Sequence, residues 1–244
     1  MNLDLLAVGA HPDDVEMSCG GTISRMVRSG YKVGIVDITR GEMGTRGTPE
    51  LREKETKTAT KLLGVQIRQN LGLPDGNVSE QNNLELMEFI RQYRPGLILL
   101  PYGEDRHPDH VHTSRLVMES CFKAGLEKIK TSSLPFRPRW LIHYMQHHEF
   151  QPTFVVDISE DFKIKMKAVK AHRSQLYNLS YQKSRNERET LISSPSFIRL
   201  LETRCRYYGS LIGTDFGEPF WMKTMIGISN PVEFFNSQSN FRTL

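Results

Sequence analysis

Short apolar runs that alternate with helical segments constrain the fold of this chain more than any other feature. The runs that we interpret as buried strands lie at residues 3–9, 32–38, 65–71, 96–101, 140–145 and 154–158. The helices that we predict lie at residues 20–29, 49–63, 84–93, 109–124, 160–172 and 196–208. Strands that alternate with helices in this way form a mostly parallel sheet covered by helices on both faces. The sequence therefore predicts an α/β fold.

One helix is delimited by clear local signals. Thr48 is a good N-cap residue, Pro49 suits the first helical position, and Gly64 ends the helix that follows. The segment at residues 176–195 is polar and irregular, so we predict a loop or a lid there. Because no linker rich in Pro, Gly or Ser divides the chain, we predict that residues 1–244 form a single domain. Its sheet is expected to be Rossmann-like and doubly wound, with a C-terminal elaboration.

Net charge and cysteine content argue against several classes of protein. The formal net charge is +4, and Lys and Arg are mixed with Asp and Glu along the chain, which argues against nucleic-acid binding. The three cysteines form no CxxC pair, so neither a disulfide framework nor a thiolate metal site is predicted. No apolar run is long enough to span a membrane, and the first is too short for a signal peptide. We therefore expect a cytoplasmic protein whose partner is a small, anionic molecule.

Two clusters of histidine and aspartate follow predicted strands. The sequence HPDD occupies residues 11–14, directly after the first strand, and HPDH occupies residues 107–110, shortly after the fourth. Ligands of doubly wound sheets bind beyond the carboxyl ends of the strands, so both clusters are expected at one site. Catalytic zinc takes three ligands from His, Asp or Glu and leaves a position for water. A further carboxylate and a further imidazole can then supply acid–base catalysis and oxyanion stabilisation, which predicts a zinc-dependent hydrolase.

Other interpretations of these clusters remain open at this point. Either motif alone can be a group of helix N-cap residues, because Asp at a helix start accepts from unpaired backbone N–H groups. Another metal-dependent hydrolase on the same fold, an amidase or a phosphoesterase, is a second alternative, although a two-metal phosphoesterase would be expected to use more carboxylates. A non-catalytic nucleotide-binding or sugar-binding module is a third, although the first turn lacks the G-x-G-x-x-G pattern. The ligand types also do not distinguish zinc from iron, cobalt or manganese.

The two motifs, together with four longer segments, resemble a known family. Those segments are TRGEMGTRGTPELREKE, LGLPDG, PYGEDRHPDH and KAHRSQ. The chain resembles the GlcNAc-phosphatidylinositol de-N-acetylase-like, or LmbE-like, family, clearly over residues 3–175. It is most similar to the deacetylases of bacillithiol biosynthesis, which act on N-acetylglucosaminyl malate. The resemblance implies a zinc-dependent enzyme that removes the acetyl group from an N-acetylglucosamine-type sugar, and a homo-oligomer that is a trimer or a hexamer.

The resemblance also implies roles for the residues of both motifs. Asp13 matches the general base that accepts a proton from water. His107 matches the imidazole that stabilises the tetrahedral intermediate or acts as an acid, and Asp109 matches the residue that orients this imidazole. The positions that match the ligands of one zinc per chain are His11, Asp14 and His110.

Three further residues are predicted to bind the substrate. By resemblance, Arg52 reaches a sugar hydroxyl or an anionic aglycone; the alternative is an ion pair with a neighbouring glutamate of its helix. Arg106 can bind a substrate carboxylate in bidentate fashion, or it can pair with the acidic residues directly before it. Glu42 lies in the Gly-rich loop after the second strand, which we interpret either as a mobile rim near the sugar or as a plain connection.

The remaining histidines and aromatic residues are predicted to be structural. We expect surface or core positions for three histidines, which are His143, His147 and His148. His172 ends a predicted helix, where an imidazolium suits the helix dipole, although it can also approach the site. The aromatic residues that we expect in the core or in an interface are Trp140, Trp221, Tyr207 and Tyr208. The tail at residues 219–244 is apolar and weakly periodic, so we predict that it contacts another subunit.

Overall fold

Seven strands form one sheet in the computed structural model, which describes residues 1–177 and 188–237. The strands are β1 (Leu5–Gly9), β2 (Val33–Thr39), β3 (Ile67–Leu73), β4 (Leu97–Pro101), β5 (Trp140–Tyr144), β6 (Phe154–Asp157) and β7 (Gly217–Trp221). The helices are α1 (Asp14–Arg28), α2 (Pro49–Leu63), α3 (Leu84–Tyr93), α4 (Pro108–Ala124), α5 (Phe162–Ala171), α6 (Phe197–Leu211) and α7 (Pro231–Ser237), with a short 3-10 helix at Glu80–Asn82. The middle of the loop predicted at 176–195 lies outside the described residues.

The topological switch point of the sheet, where the strand order changes direction, lies between β1 and β4. The order is β3-β2-β1-β4-β5-β7-β6, and β7 runs antiparallel to both of its neighbours. Leu5 pairs with Val33 on one side and with Leu97 on the other, so β1 is central. The predicted mostly parallel, doubly wound α/β sheet is therefore confirmed.

Apolar residues of the central strands face two separate cores because successive side chains of a strand point to opposite faces. Leu6 and Val8 pack on the face covered by α3 and α4. Leu5 and Ala7 pack on the other face, against α1, α2 and α5. Burial on both faces explains why these strands are continuous apolar runs.

Helix α1 begins six residues earlier than predicted. The helix is kinked, and the prediction covers only the part after the kink. Cys19 has non-helical backbone angles (φ −134°), and the second half alone resembles the helix predicted from residue 20. The carbonyl oxygen of Met17 accepts from Lys165 Nζ at 2.8 Å, whereas the N–H groups of Gly21 and Thr22 donate to the carboxylate of Glu218. These side chains replace backbone bonds lost at the kink. The HPDD motif therefore lies at the start of a helix.

Strand β7 is absent from the sequence prediction, which assigned residues 219–244 to a subunit contact. Phe220 is 1% exposed and Met222 is 8% exposed, so this part of the tail belongs to the core. A charged Glu218 and a proline interrupt the apolar pattern of the strand, which is why its periodicity is weak. The described residues after it, 223–237, are exposed, and the subunit contact and the single-domain assignment for 1–244 stay predictions. Within residues 1–177 and 188–237, every helix falls short of the length and apolar character that a membrane span requires.

Candidate metal centre and active site

The two predicted motifs meet at the carboxyl ends of β1 and β4. A cavity of about 870 Å³ opens there. Five motif residues line it, which are His11, Asp13, Asp14, His107 and His110. Their convergence follows from topology, because adjacent parallel strands whose connections leave in opposite directions open a crevice at this edge.

The three residues predicted to bind zinc form a buried group. His110 Nε2 lies 3.4 Å from one carboxylate oxygen of Asp14, and His11 Nδ1 lies 3.5 Å from the other. One ligand atom from each of these residues lies within 4.8 Å of the other two. Two imidazoles and one carboxylate are a donor set that catalytic zinc uses. The residues present therefore fit one divalent metal ion.

Two carboxylates outside the motifs contact the ring nitrogens of these imidazoles that do not face Asp14. Asp105 Oδ1 lies 2.9 Å from His110 Nδ1, and Asp75 Oδ1 lies 3.0 Å from His11 Nε2. Such carboxylates fix the tautomer and the ring orientation of a metal-binding histidine. The sequence patterns predict no role for either residue. A signal existed, because both follow the ends of parallel strands, β3 and β4.

The carboxylates give this cluster a strong preference for positive charge. Burial opposes protonation of both imidazoles, yet contacts with Asp109, Asp14 and Asp75 raise the pKa of His11 well above its usual value. Burial lowers the pKa of His110 as well, but Asp14 and Asp105 have the larger effect and raise this pKa to about 9. Asp14 itself is buried, but the neighbouring imidazoles hold its pKa well below the usual range. Positive charge at this point is therefore stabilised by the protein.

Replacing Asp105 with asparagine is expected to weaken metal binding by roughly 10- to 100-fold, because His110 loses a carboxylate partner. The affinity is measured by competition with a chromogenic chelator for Zn²⁺. Glu104→Gln is the matched control, since Glu104 is an exposed neighbour of the same charge. Equal zinc affinity of Asp105→Asn and the parent chain would show that Asp105 does not support the ligand.

Asp13 lies at the cavity in a strained backbone conformation. Its φ is 135°, a value that L-residues rarely adopt, and the residue is only 4% exposed. Burial, aided by the nearby charge of Asp14 and opposed by that of Arg52, raises the pKa of Asp13 to about 6. The carboxylate is therefore ionised at neutral pH and able to accept a proton. Strain of this kind is concentrated at functional sites.

Arg52 supports Asp13 and the loop after β2. Its guanidinium donates to the carbonyl oxygens of Gly41 and Pro12, at 2.9 and 3.0 Å, and lies 3.6 Å from Asp13 Oδ2. Gly41 has a φ of 67°, and a Cβ there would lie 1.9 Å from Arg52 Nη1, so the loop requires glycine. The ion pair with a helix glutamate, considered as an alternative, is not among the contacts of the described residues.

The other two predicted substrate residues differ in position. Arg106 is exposed, lines the cavity, and makes no hydrogen bond or ion pair with another described residue. Glu42 is exposed and accepts a 2.9 Å hydrogen bond from the backbone N–H of Asp75, while Met43 N–H donates to the Asp75 carboxylate. Glu42 is not among the described residues that line the cavity, so in this structure it joins two loops.

His107 is oriented by the backbone of the helix that it caps. Its Nδ1 accepts a 3.3 Å hydrogen bond from the N–H of Asp109, which leaves a neutral ring with its proton on Nε2. Burial, together with nearby His11 and His110, lowers the pKa of His107. The Asp109 carboxylate instead accepts from Gly76 N–H at 2.7 Å and lies 3.4 Å from His11 Nε2. The contact that orients His107 is thus made by the Asp109 backbone.

A buried charge network lies behind Asp13. Arg68 pairs with Glu16 at 2.5 Å and with Asp37 at 2.8 Å, and His172 Nε2 lies 3.2 Å from Glu16. His172 is fully buried; burial opposes its protonation, but Glu16 and Asp13 raise its pKa. His172 therefore lies at the end of helix α5, as predicted, and a proton on its ring would place positive charge near Asp13.

The residues that we expected to be structural divide into two groups. His143 is buried, bonds Pro101 O through Nδ1 at 2.8 Å, and packs against Trp221, as expected of a core residue. His147, however, stacks on His110 with ring centroids 5.6 Å apart, and both it and His148 line the cavity. Tyr207 and Tyr208 also line the cavity; Tyr208 is buried in a core cluster, as expected, whereas Tyr207 is exposed. Both tyrosines lie on α6, and no local sequence pattern indicates that this helix contributes to the cavity.

Comparisons with known proteins agree with this geometry. Residues 6–121 match the family described as PIG-L, GlcNAc-PI de-N-acetylase. A Thermococcus kodakarensis relative named diacetylchitobiose deacetylase is 32% identical over 188 residues, or 70% of this chain and 69% of the relative. A Bacillus cereus relative named probable N-acetyl-alpha-D-glucosaminyl L-malate deacetylase 2 is 30% identical over 196 residues, or 72% and 84%. The structure of a conserved protein from Thermus thermophilus has a TM-score of 0.83 and 39% identity, over 93% of this chain and 98% of that chain.

The fold, the site and these relatives define a hydrolase built on a doubly wound sheet, with a buried His–His–Asp cluster able to hold a metal. The chain belongs to the GlcNAc-PI de-N-acetylase, or LmbE-like, family. It is an N-deacetylase, a hydrolase of amide bonds, which confirms the enzyme expected from the motifs.

Proposed function

We propose that this enzyme removes the acetyl group from the nitrogen of an N-acetylglucosamine-containing substrate, with one Zn²⁺ per chain. The observation that carries the proposal is the convergence of His11, Asp14 and His110 beside Asp13 in one cavity. The names of the Thermococcus and Bacillus relatives, both deacetylases of acetylated amino sugars, support the substrate class.

The side chains of this site divide the reaction among them. A bound Zn²⁺ supplies Lewis acidity, which lowers the pKa of water and polarises the acetamide carbonyl. Asp13, held by Arg52, accepts a proton from the attacking water and then delivers it to the departing nitrogen. The His107 Nε2–H donates to the oxygen that becomes negative as the carbonyl carbon turns tetrahedral. Acetate and a free amine are the products.

Within this class, N-acetylglucosaminyl malate is the substrate that we propose first, which places the enzyme in bacillithiol biosynthesis. The name of the Bacillus cereus relative supports this choice. Arg106 supports it as well, because its guanidinium is exposed beside the cavity and has no partner among the described residues. Arginine binds carboxylates in bidentate fashion, and malate has two of them.

Amine release from N-acetylglucosaminyl malate tests the proposal. Fluorescamine detects the free amine, with zinc-loaded and chelator-treated enzyme assayed in parallel and N-acetylglucosamine and diacetylchitobiose as comparison substrates. We expect release that requires zinc and is fastest with the malate compound. Release only from the comparison substrates would reject malate but keep the deacetylase. No release from any of them by zinc-loaded enzyme would reject the substrate class.

The metal count also separates this proposal from the two-metal phosphoesterase. The site has five aspartates, but Asp75 and Asp105 contact His11 Nε2 and His110 Nδ1. These two carboxylates therefore support the proposed ligand histidines and are not counted as ligands of a second metal. We therefore expect about one zinc per chain by elemental analysis. A content near two would favour the phosphoesterase. The cytoplasmic location and the trimer or hexamer stay predictions, the latter testable by light scattering.

A further inference from the structure

We propose that the half of the cavity formed by α6 is an apolar subsite, which binds an aromatic or aliphatic group of the substrate. This inference rests on the proposed deacetylation of amino sugars, but it is independent of malate as the aglycone. It adds a second specificity element to the polar end of the cavity, where the two histidine motifs lie.

The apolar wall of the cavity consists of large apolar side chains, most of them on α6. Its main members are Met17, Leu191, Phe197, Leu200, Tyr207 and Tyr208. Leu200 is 59% exposed and Tyr207 is 57% exposed, so α6 presents large apolar groups to the space inside the cavity. Exposed apolar surface that lines a concave site marks a ligand-binding groove, since its desolvation by a ligand is favourable.

The apolar wall is continuous with the reaction centre. Met17 lies one helical turn after Asp13 and Asp14, and it packs in the same cluster as Phe197 and Leu201. A single substrate can therefore contact the aspartates and the apolar wall at once. The volume of about 870 Å³ is near the upper end of the ~300–1,000 Å³ that small-molecule pockets usually have, and much larger than an acetamide requires.

Charge at this wall does not favour an anionic group. Of the described arginines that line the cavity, the one on α6 is Arg204. Arg204 is partly buried, and its guanidinium donates to the backbone carbonyls of Gln146 and Met17. Arg106 and Arg52 belong to the motif end instead. The occupant that this wall fits is therefore an uncharged, apolar group.

Such a group can belong either to the aglycone or to the acyl chain of the amide, and the two are separated by substrate series. In the first series, phenyl and methyl N-acetylglucosaminides are compared by amine release. In the second, N-hexanoylglucosamine is compared with N-acetylglucosamine. We expect the larger member of one series to be preferred by about tenfold or more in kcat/KM, as for other apolar pockets.

A matched pair of variants on α6 tests whether this wall causes the preference for the larger substrate. Leu200→Asp is expected to reduce the preference to within about twofold, because the charge makes burial of an apolar group unfavourable. Leu211→Asp introduces the same charge at an exposed leucine of α6 that does not line the cavity, and it should leave the preference unchanged. Since both leucines are exposed, neither variant is expected to unfold the protein.

Binding measurements test the apolar subsite independently of the proposed reaction. Calorimetry with phenyl and methyl glucosaminides, which have no acetyl group, requires no turnover. Tighter binding of the phenyl compound that Leu200→Asp abolishes would support the subsite even if no acetylated sugar were hydrolysed. Equal binding of both compounds, together with equal kcat/KM within both substrate series, would overturn it.

Discussion

Replacing Asp13 with asparagine is expected to lower kcat by roughly 10²- to 10⁴-fold, the range typical of lost general base catalysis. Asparagine has the same size but cannot accept the proton of water. Zinc content should stay near that of the parent enzyme, because the proposed ligands are His11, Asp14 and His110. Steady-state deacetylation and elemental analysis of the same preparation measure both quantities. Near-parental activity of Asp13→Asn would show that another group is the base.

The backbone of Asp13 offers an internal control for this experiment. Its φ of 135° is a conformation that glycine adopts without the steric cost that other residues have. Asp13→Gly should therefore lose activity as Asn does, yet unfold with a free energy at least as high as that of Asp13→Asn. Strain at such positions costs about 1–3 kcal/mol, so the difference is measurable by urea denaturation. A glycine variant less stable than the asparagine variant would mean that no strain is stored there.

Replacing Glu218 with glutamine is expected to lower the free energy of unfolding by about 3–5 kcal/mol. Glu218 and Lys165 are each 1% exposed or less, and their charged atoms lie 2.5 Å apart. Glutamine leaves the Lys165 ammonium buried without a counter-charge. It also weakens the carboxylate bonds to Gly21 and Thr22, which restart α1 after its kink. Urea denaturation measures the effect.

Two comparisons make this prediction specific. Glu202→Gln breaks an exposed pair with Arg206 and should cost less than about 1 kcal/mol. In the double variant Lys165→Met with Glu218→Gln, the unpaired charge is gone, so part of the lost stability should return. A loss below 1 kcal/mol in Glu218→Gln alone would contradict a stabilising role for the buried pair.

The sequence by itself determined six of the seven strands, the two motifs and the family. Apolar periodicity is a local property, so strands such as β1 and β4 and the helix between Thr48 and Gly64 were predicted close to their observed bounds. The meeting of residues 11–14 with 107–110 also followed, because strand order in a doubly wound sheet decides where loops converge.

Only the tertiary structure decided which side chains complete the site and stabilise it. Asp75 holds His11 from 64 residues away, and Glu218 pairs with Lys165 across 53 residues. Tyr207 and Tyr208 reach the cavity from a helix whose own pattern indicates a core or an interface. The physical reason is the same in each case. Local sequence specifies backbone conformation and amphipathic faces, whereas a contact between distant side chains depends on how those faces pack.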